Sequence, residues 1–65
     1  MKLFVKRSTN TSKVLRSIQE MLGEANVGCV DMYPAPPYIE ILQAENVPVV
    51  RELIQESGLA IIKEE

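Results

Sequence analysis

Two stretches with a helical spacing of apolar residues constrain the fold of this chain more than any other feature. The first covers residues 14–25, where apolar side chains recur at intervals of one, three and four. The second follows Asn46 and Pro48, which suit the N-cap and the first turn of a helix, and it stops at Ser57 and Gly58. The sequence therefore predicts two helices, separated by more than twenty residues of different character.

Four short segments rich in β-forming residues surround these helices. They cover residues 2–7, 27–33, 38–44 and 59–63, and the run PAPP at 34–37 joins the middle two as a stiff hairpin connection. The order β-α-β-β-α-β is that of the ferredoxin-like α+β sandwich. With right-handed crossovers it predicts a four-stranded antiparallel sheet with two helices on one face. We expect residues 1–65 to form a single domain.

The predicted strands do not alternate cleanly between apolar and polar residues, as a sheet covered on one side should. In the first strand Leu3 and Val5 fall on one face and Phe4 on the other, and the other strands also have apolar residues on both faces. A cluster of about a few hundred Å² of exposed apolar surface usually marks an interaction site. We expect self-association through the sheet, most simply as a homodimer. The predicted interface residues are Phe4, Val30, Met32, Tyr38 and Leu42.

The most polar stretch of the chain is KRSTNTSK, between the first strand and the first helix. Residues 1–16 carry five basic residues and no acidic one, whereas residues 17–65 carry nine acidic and two basic residues. Hydroxyl groups, cations and free helix amides could hold a phosphate or carboxylate there. Serine, threonine and asparagine are also ordinary loop residues, so the sequence favours a simple turn over an anion site. The candidate ligand-binding residues are Lys6, Arg7, Ser8, Thr9, Asn10, Thr11, Ser12 and Lys13.

The residues needed for most catalytic and metal chemistry are missing from the sequence. The chain has no histidine and one cysteine, so it offers neither the commonest general base nor a thiolate metal site. No phosphate-binding glycine loop or serine elbow occurs. Asp31 and Glu40 lie in adjacent predicted strands, where a solvated sheet margin explains them. We expect a non-catalytic binding or regulatory module without metal or cofactor.

The length of the apolar runs and the charge balance indicate where the protein is located and which partners it binds. The longest apolar runs are three or four residues, too short for a membrane span, and the start of the chain is too polar for a signal peptide. With a single cysteine, this predicts a cytoplasmic protein. An open sheet with Phe4 and Tyr38 resembles RNA-recognition modules. Glu40 and the acidic balance disfavour nucleic acid, so RNA binding is an alternative only.

Two families of similar size share parts of this pattern. Residues 47–62, VPVVRELIQESGLAII, resemble the closing helix and strand of heavy-metal-associated domains, but positions 7–12 lack that family's Cys-x-x-C motif. Residues 14–32, VLRSIQEMLGEANVGCVDM, resemble the first helix and second strand of ACT-type regulatory domains. The ACT resemblance implies association through sheets or helices and binding of amino acids near the first loop. It supports the first alternative, ahead of RNA binding: a sensor of a small anion or amino acid that uses the loop at residues 7–13.

Overall fold

A computed structural model describes residues 1–31, 33 and 36–65 of the chain. The elements are β1 (Lys2–Val5), α1 (Thr11–Leu22), β2 (Val27–Asp31), β3 (Tyr38–Ile41), a 3₁₀ turn (Ala44–Asn46), α2 (Val47–Glu56) and β4 (Ile61–Glu64). The strands form one antiparallel sheet in the order β2-β3-β1-β4. This architecture confirms the predicted ferredoxin-like βαββαβ fold. Of the predicted hairpin connection, Pro34 and Ala35 lie outside the described residues.

Several element boundaries differ from the predicted ones. Helix α1 begins three residues early, at Thr11, because the side chain of Thr11 closes the preceding loop. Strand β3 ends at Ile41, and the predicted strand residue Ala44 instead starts the 3₁₀ turn. Leu59, predicted to open the last strand, is buried after α2, where its amide donates to Ile54. Both helices are followed by glycines with positive φ, Gly23 and Gly58. Gly58 lies where it was predicted, whereas α1 ends at Leu22, three residues before the end of its apolar stripe.

The core lies between the two helices and one face of the sheet, which we call the inner face. In β1 and β3 burial alternates residue by residue, so that every second side chain points into this core. Each buried aliphatic side chain contributes about 1.5–3 kcal/mol relative to exposure. The buried apolar residues are Leu3, Val5, Val27, Ile39 and Ile41 from the sheet, Leu15, Ile18, Val50 and Ile54 from the helices, and Val47 and Leu59.

A bidentate ion pair joins α2 to β4. Nε and Nη2 of Arg51 donate to the carboxylate of Glu64 at 3.1 and 2.8 Å. This hydrogen bond lowers the pKa of Glu64 and raises the pKa of Arg51. Glu64 pairs with Leu3 in the ladder and therefore shares the inner side of the sheet. The neighbouring Lys63 is consequently directed to the opposite face.

Candidate functional site: the outer face of the sheet

The face of the sheet opposite the helices, which we call the outer face, carries the residues that alternate with the core. On β1 these are Lys2 and Phe4, and on β3 they are Tyr38 and Glu40. The ladder pairs Phe4 with Tyr38 and Lys2 with Glu40. On the edge strands, Cys29 pairs with Glu40 and Lys63 pairs with Phe4. Residues paired directly across an antiparallel ladder share a face, so all six belong to the outer face.

Two aromatic rings occupy the centre of the outer face, because β1 and β3 are the two central strands. The centroids of the Phe4 and Tyr38 rings lie 5.2 Å apart, with the rings inclined at 46°. Such a pair contributes about 0.5–1.5 kcal/mol beyond its buried area. Both residues are half-buried, so part of each ring remains accessible.

A lysine lies over each of the two rings. Nζ of Lys2 is 4.9 Å from the Tyr38 centroid, and Nζ of Lys63 is 5.6 Å from the Phe4 centroid. At exposed sites each such cation–π contact contributes about 0.5–1 kcal/mol. These contacts are weak and involve long side chains, so the rings are shielded by groups that a ligand or partner can displace.

Carboxylates balance the two lysines. Glu40 lies beside Lys2 in the ladder, and Glu65 continues the pairing, with its amide donating to the carbonyl of Lys2 at 2.9 Å. Lys63 forms a salt bridge with Glu65, and the hydrogen bond from Lys63 lowers the pKa of the Glu65 carboxyl. Among the described side chains, the outer face thus combines two cations and two anions around an aromatic centre.

Of the five predicted interface residues, two are in contact on the outer face and a third follows the end of β3. Phe4 and Tyr38 are in contact, and Leu42 follows β3 with 51% of its surface exposed. A Cβ built on Gly28 would approach Cδ2 of Leu42 and Oε1 of Glu40 at 2.9 Å, which places Leu42 with Glu40 over β2. Phe4, Tyr38 and Leu42 therefore remain candidates for an interface.

The other two predicted interface residues do not join this group. Val30 pairs with the buried Ile39 and packs against the core, so it belongs to the inner face. The ladder is irregular between Val27 and Cys29, and this irregularity reverses the alternation that the sequence pattern implies for β2. Met32 lies outside the described residues. Lys2 and Lys63 also belong to the outer face and were not predicted, although Lys2 could have been found from its two-residue spacing to Phe4.

Two of the four hydroxyl groups in the polar loop at residues 6–13, those of Ser8 and Thr11, form hydrogen bonds within the loop. Thr11 is fully buried, and its Oγ1 accepts the amide of Ser8 at 2.8 Å. The same Oγ1 lies 3.0 Å from Oγ of Ser8 and donates to the carbonyl of Lys6 at 3.4 Å. Oγ of Ser8 donates to Oδ1 of Asn10 at 2.7 Å. This network closes the turn into α1 and supports the interpretation of the stretch as a structural turn.

The remaining candidate loop residues divide between two shallow grooves. Lys6, Arg7 and Ser8 line a groove of about 360 Å³ with residues 58–60. Asn10 and Lys13 line a different groove, of about 370 Å³, between α1 and α2. Thr9 is exposed in the turn and Ser12 is half-buried in the first turn of α1. The eight predicted residues therefore do not converge on one site.

The described residues offer neither a metal-binding cluster nor a membrane-spanning helix. They contain no group of three or more histidine, cysteine or acidic residues placed to hold a metal ion. None of the described helices is long and apolar enough to cross a bilayer.

No known protein family, curated protein or solved structure matches the chain. The resemblance to ACT and heavy-metal-associated domains therefore stays a prediction.

Replacing Thr11 with valine should destabilise the fold by about 1–3 kcal/mol, because the amide of Ser8 loses its acceptor in a part-buried turn. Urea denaturation followed by circular dichroism measures the change. Thr9→Val, at an exposed position of the same loop, is the matched control and should change stability by less than about 0.5 kcal/mol. Equal effects of the two variants would contradict the structural role of Thr11.

Proposed function

We propose that this protein is a non-catalytic binding module that self-associates through the outer face of its sheet. The observation that carries the proposal is the Phe4–Tyr38 ring pair, half-buried at the centre of the face opposite the helices. Leu42 adds exposed apolar surface at the end of β3. Aromatic side chains are enriched at the centres of protein interfaces, where they combine large apolar area with few rotatable bonds.

The size of the outer face limits the strength of this association. Four strands about 4.8 Å apart, with about 3.3 Å per residue over four residues, span roughly 250 Å². A stable interface usually buries about 800 Å² on each partner. We therefore propose a reversible dimer with a dissociation constant on the order of 100 µM, which forms at high local concentration.

Two further features support a module without catalysis. The pKa shifts at Arg51, Glu64 and Glu65 come from surface ion pairs, whereas active sites usually shift pKa values by burial in a cleft. The chain also has no histidine. The single cysteine fits a reducing compartment, so we place the module in the cytoplasm. We propose a regulatory role in which the fraction of dimer rises with protein concentration.

Single-stranded RNA is the second candidate for the outer face. The observation that favours it is the position of Phe4 and Tyr38 on the two central strands, where successive bases can stack on aromatic rings. Glu40 and Glu65 offset the charges of Lys2 and Lys63, which reduces the attraction for phosphates. Two phosphate contacts would give a salt slope of only about −1.4.

The third candidate is the sensor of a small anion or amino acid that the ACT resemblance implies. The groove of Lys6, Arg7 and Ser8 beside residues 58–60 favours it. Because the hydroxyl groups of Ser8 and Thr11 bond within the loop, fewer donors are left for a ligand. We therefore rank this candidate below the two that use the outer face.

Removing either central ring should weaken the dimer. Sedimentation velocity between 10 µM and 1 mM, a range of about tenfold either side of the proposed dissociation constant, should show reversible dimer formation by the wild type. Phe4→Ser and Tyr38→Ser should remain monomeric over most of it. Met21→Ser, which removes a 67% exposed apolar side chain from α1, is the matched control and should behave like the wild type. A wild type that stays monomeric throughout, or equal effects of all three variants, would refute the proposal.

Alkylation of Cys29 should report the same association. Cys29 is the sole cysteine of the chain and is half-buried on the outer face beside Glu40. We expect the rate of its reaction with a maleimide to fall as protein concentration rises, because a second copy covers it. In Phe4→Ser the rate should not depend on protein concentration. A wild-type rate that is also independent of concentration would count against covering of the outer face.

Labelled single-stranded oligonucleotides test the second candidate by fluorescence anisotropy. At low salt we expect no saturable binding below about 100 µM protein, because few phosphates can be neutralised. Tight binding that is lost in Phe4→Ser and in Lys2→Gln, but retained in Lys13→Gln on α1, would instead assign the outer face to nucleic acid. Lys13→Gln controls for the loss of one positive charge.

A further inference from the structure

The ladder between β1 and β3 arranges the outer face in two rows. One row holds Glu40 and Lys2, and the next row holds Tyr38 and Phe4. In each row the residue from one strand complements the residue from the other, an anion beside a cation and a ring beside a ring. The four side chains thus form two complementary cross-strand pairs at the centre of the face.

This arrangement has a consequence for two copies that meet outer face to outer face. A two-fold axis parallel to the strands, running between β1 and β3, brings β1 of one copy opposite β3 of the other. Each cross-strand pair then becomes a pair across the interface, because the axis exchanges the two strands. Lys2 faces Glu40 of the partner subunit, and Phe4 faces Tyr38 of the partner subunit.

We infer that the dimer forms about this axis, with the Lys2–Glu40 and Phe4–Tyr38 pairings both repeated between the copies. The inference rests on the proposed self-association and names its symmetry and its contacts. A two-fold interface must be self-complementary, and this face meets that requirement in both rows. Sheets that pack face to face keep their strands within about 30° of each other, which an axis parallel to the strands allows.

The alternative axis, in the plane of the interface and perpendicular to the strands, exchanges the two rows instead of the two strands. It would place Glu40 opposite the ring of Tyr38 and Lys2 opposite the ring of Phe4. A carboxylate against the electron-rich face of a ring is electrostatically unfavourable, whereas the parallel axis places Glu40 opposite Lys2 of the partner subunit as well as beside its own Lys2. The charge pattern therefore selects the parallel axis.

Association about the parallel axis requires only local movement of the lysines. In the single copy Nζ of Lys2 lies over the Tyr38 ring and Nζ of Lys63 lies over the Phe4 ring. Both are long side chains at half-buried or exposed positions. Lys2 can swing from the ring of its own copy to the carboxylate of the partner subunit, which exposes the ring for stacking.

Charge exchange tests the axis directly. Glu40→Lys should weaken the dimer at least tenfold, because the two lysines of one copy then face the two lysines of the other. Lys2→Glu should weaken it equally, because two carboxylates of each copy then face each other. An equimolar mixture of the two variants should recover association within about threefold of the wild type. The double variant Lys2→Glu/Glu40→Lys should recover it as a homodimer. Sedimentation equilibrium measures each constant, and ¹⁵N-labelling of one variant in the mixture identifies the heterodimer.

Controls and outcomes separate this inference from the proposed function. Glu20→Lys and Lys13→Glu make the same charge changes at exposed positions of α1, and each should associate like the wild type, alone or mixed. Thermal unfolding verifies that every variant folds. Recovery in the mixture and in the double variant supports the axis. A different outcome is that the wild type dimerises and Phe4→Ser does not, while neither the mixture nor the double variant recovers association. That result would support dimerisation through the outer face and refute the parallel axis. A monomeric wild type refutes both.

Discussion

Burial on one side of the sheet is the constraint on which the rest of this structure depends. Two helices of twelve and ten residues cover the inner face, and Leu3, Val5, Ile39 and Ile41 are directed into the core beneath them. Within the described residues no further helix covers the other face. The same alternation that fills the core sets Phe4 and Tyr38 on the outer face. Their partial exposure follows from this alternation and from the position of both helices on the inner face.

Much of this fold could be predicted from sequence because its signals are local. The helical stripes, Pro48 in the first turn of α2, and Gly23 and Gly58 after the helices each act within one turn of backbone. The face of the sheet on which each β2 side chain lies could not be predicted in this way. It depends on an irregularity between Val27 and Cys29, which pairing with β3 imposes and which no local pattern reports. Val30 was therefore assigned to the wrong face by its sequence position.

The candidate site was predicted only in part, because its chemistry depends on pairs that form across strands. Phe4 and Tyr38 were recognisable individually as apolar residues out of phase with the core. That Lys2 and Lys63 lie over their rings follows from the register of three strands, which the sequence does not give. For the polar loop, both a ligand site and a simple turn were open interpretations, and ligand binding stays a prediction. The burial of Thr11 and its hydrogen bonds with Ser8 show that these two hydroxyl groups serve the turn, and this depends on loop geometry that the sequence pattern alone does not report.

The central claim is that a second copy covers the ring pair. An isotope-filtered nuclear Overhauser experiment on an equal mixture of ¹³C-labelled and unlabelled protein, at a concentration well above the dissociation constant, tests it most directly. We predict intermolecular cross-peaks between ring protons of Phe4 and Tyr38. Intermolecular cross-peaks confined to Met21 or Val49 on the helices, or none at all, would contradict it.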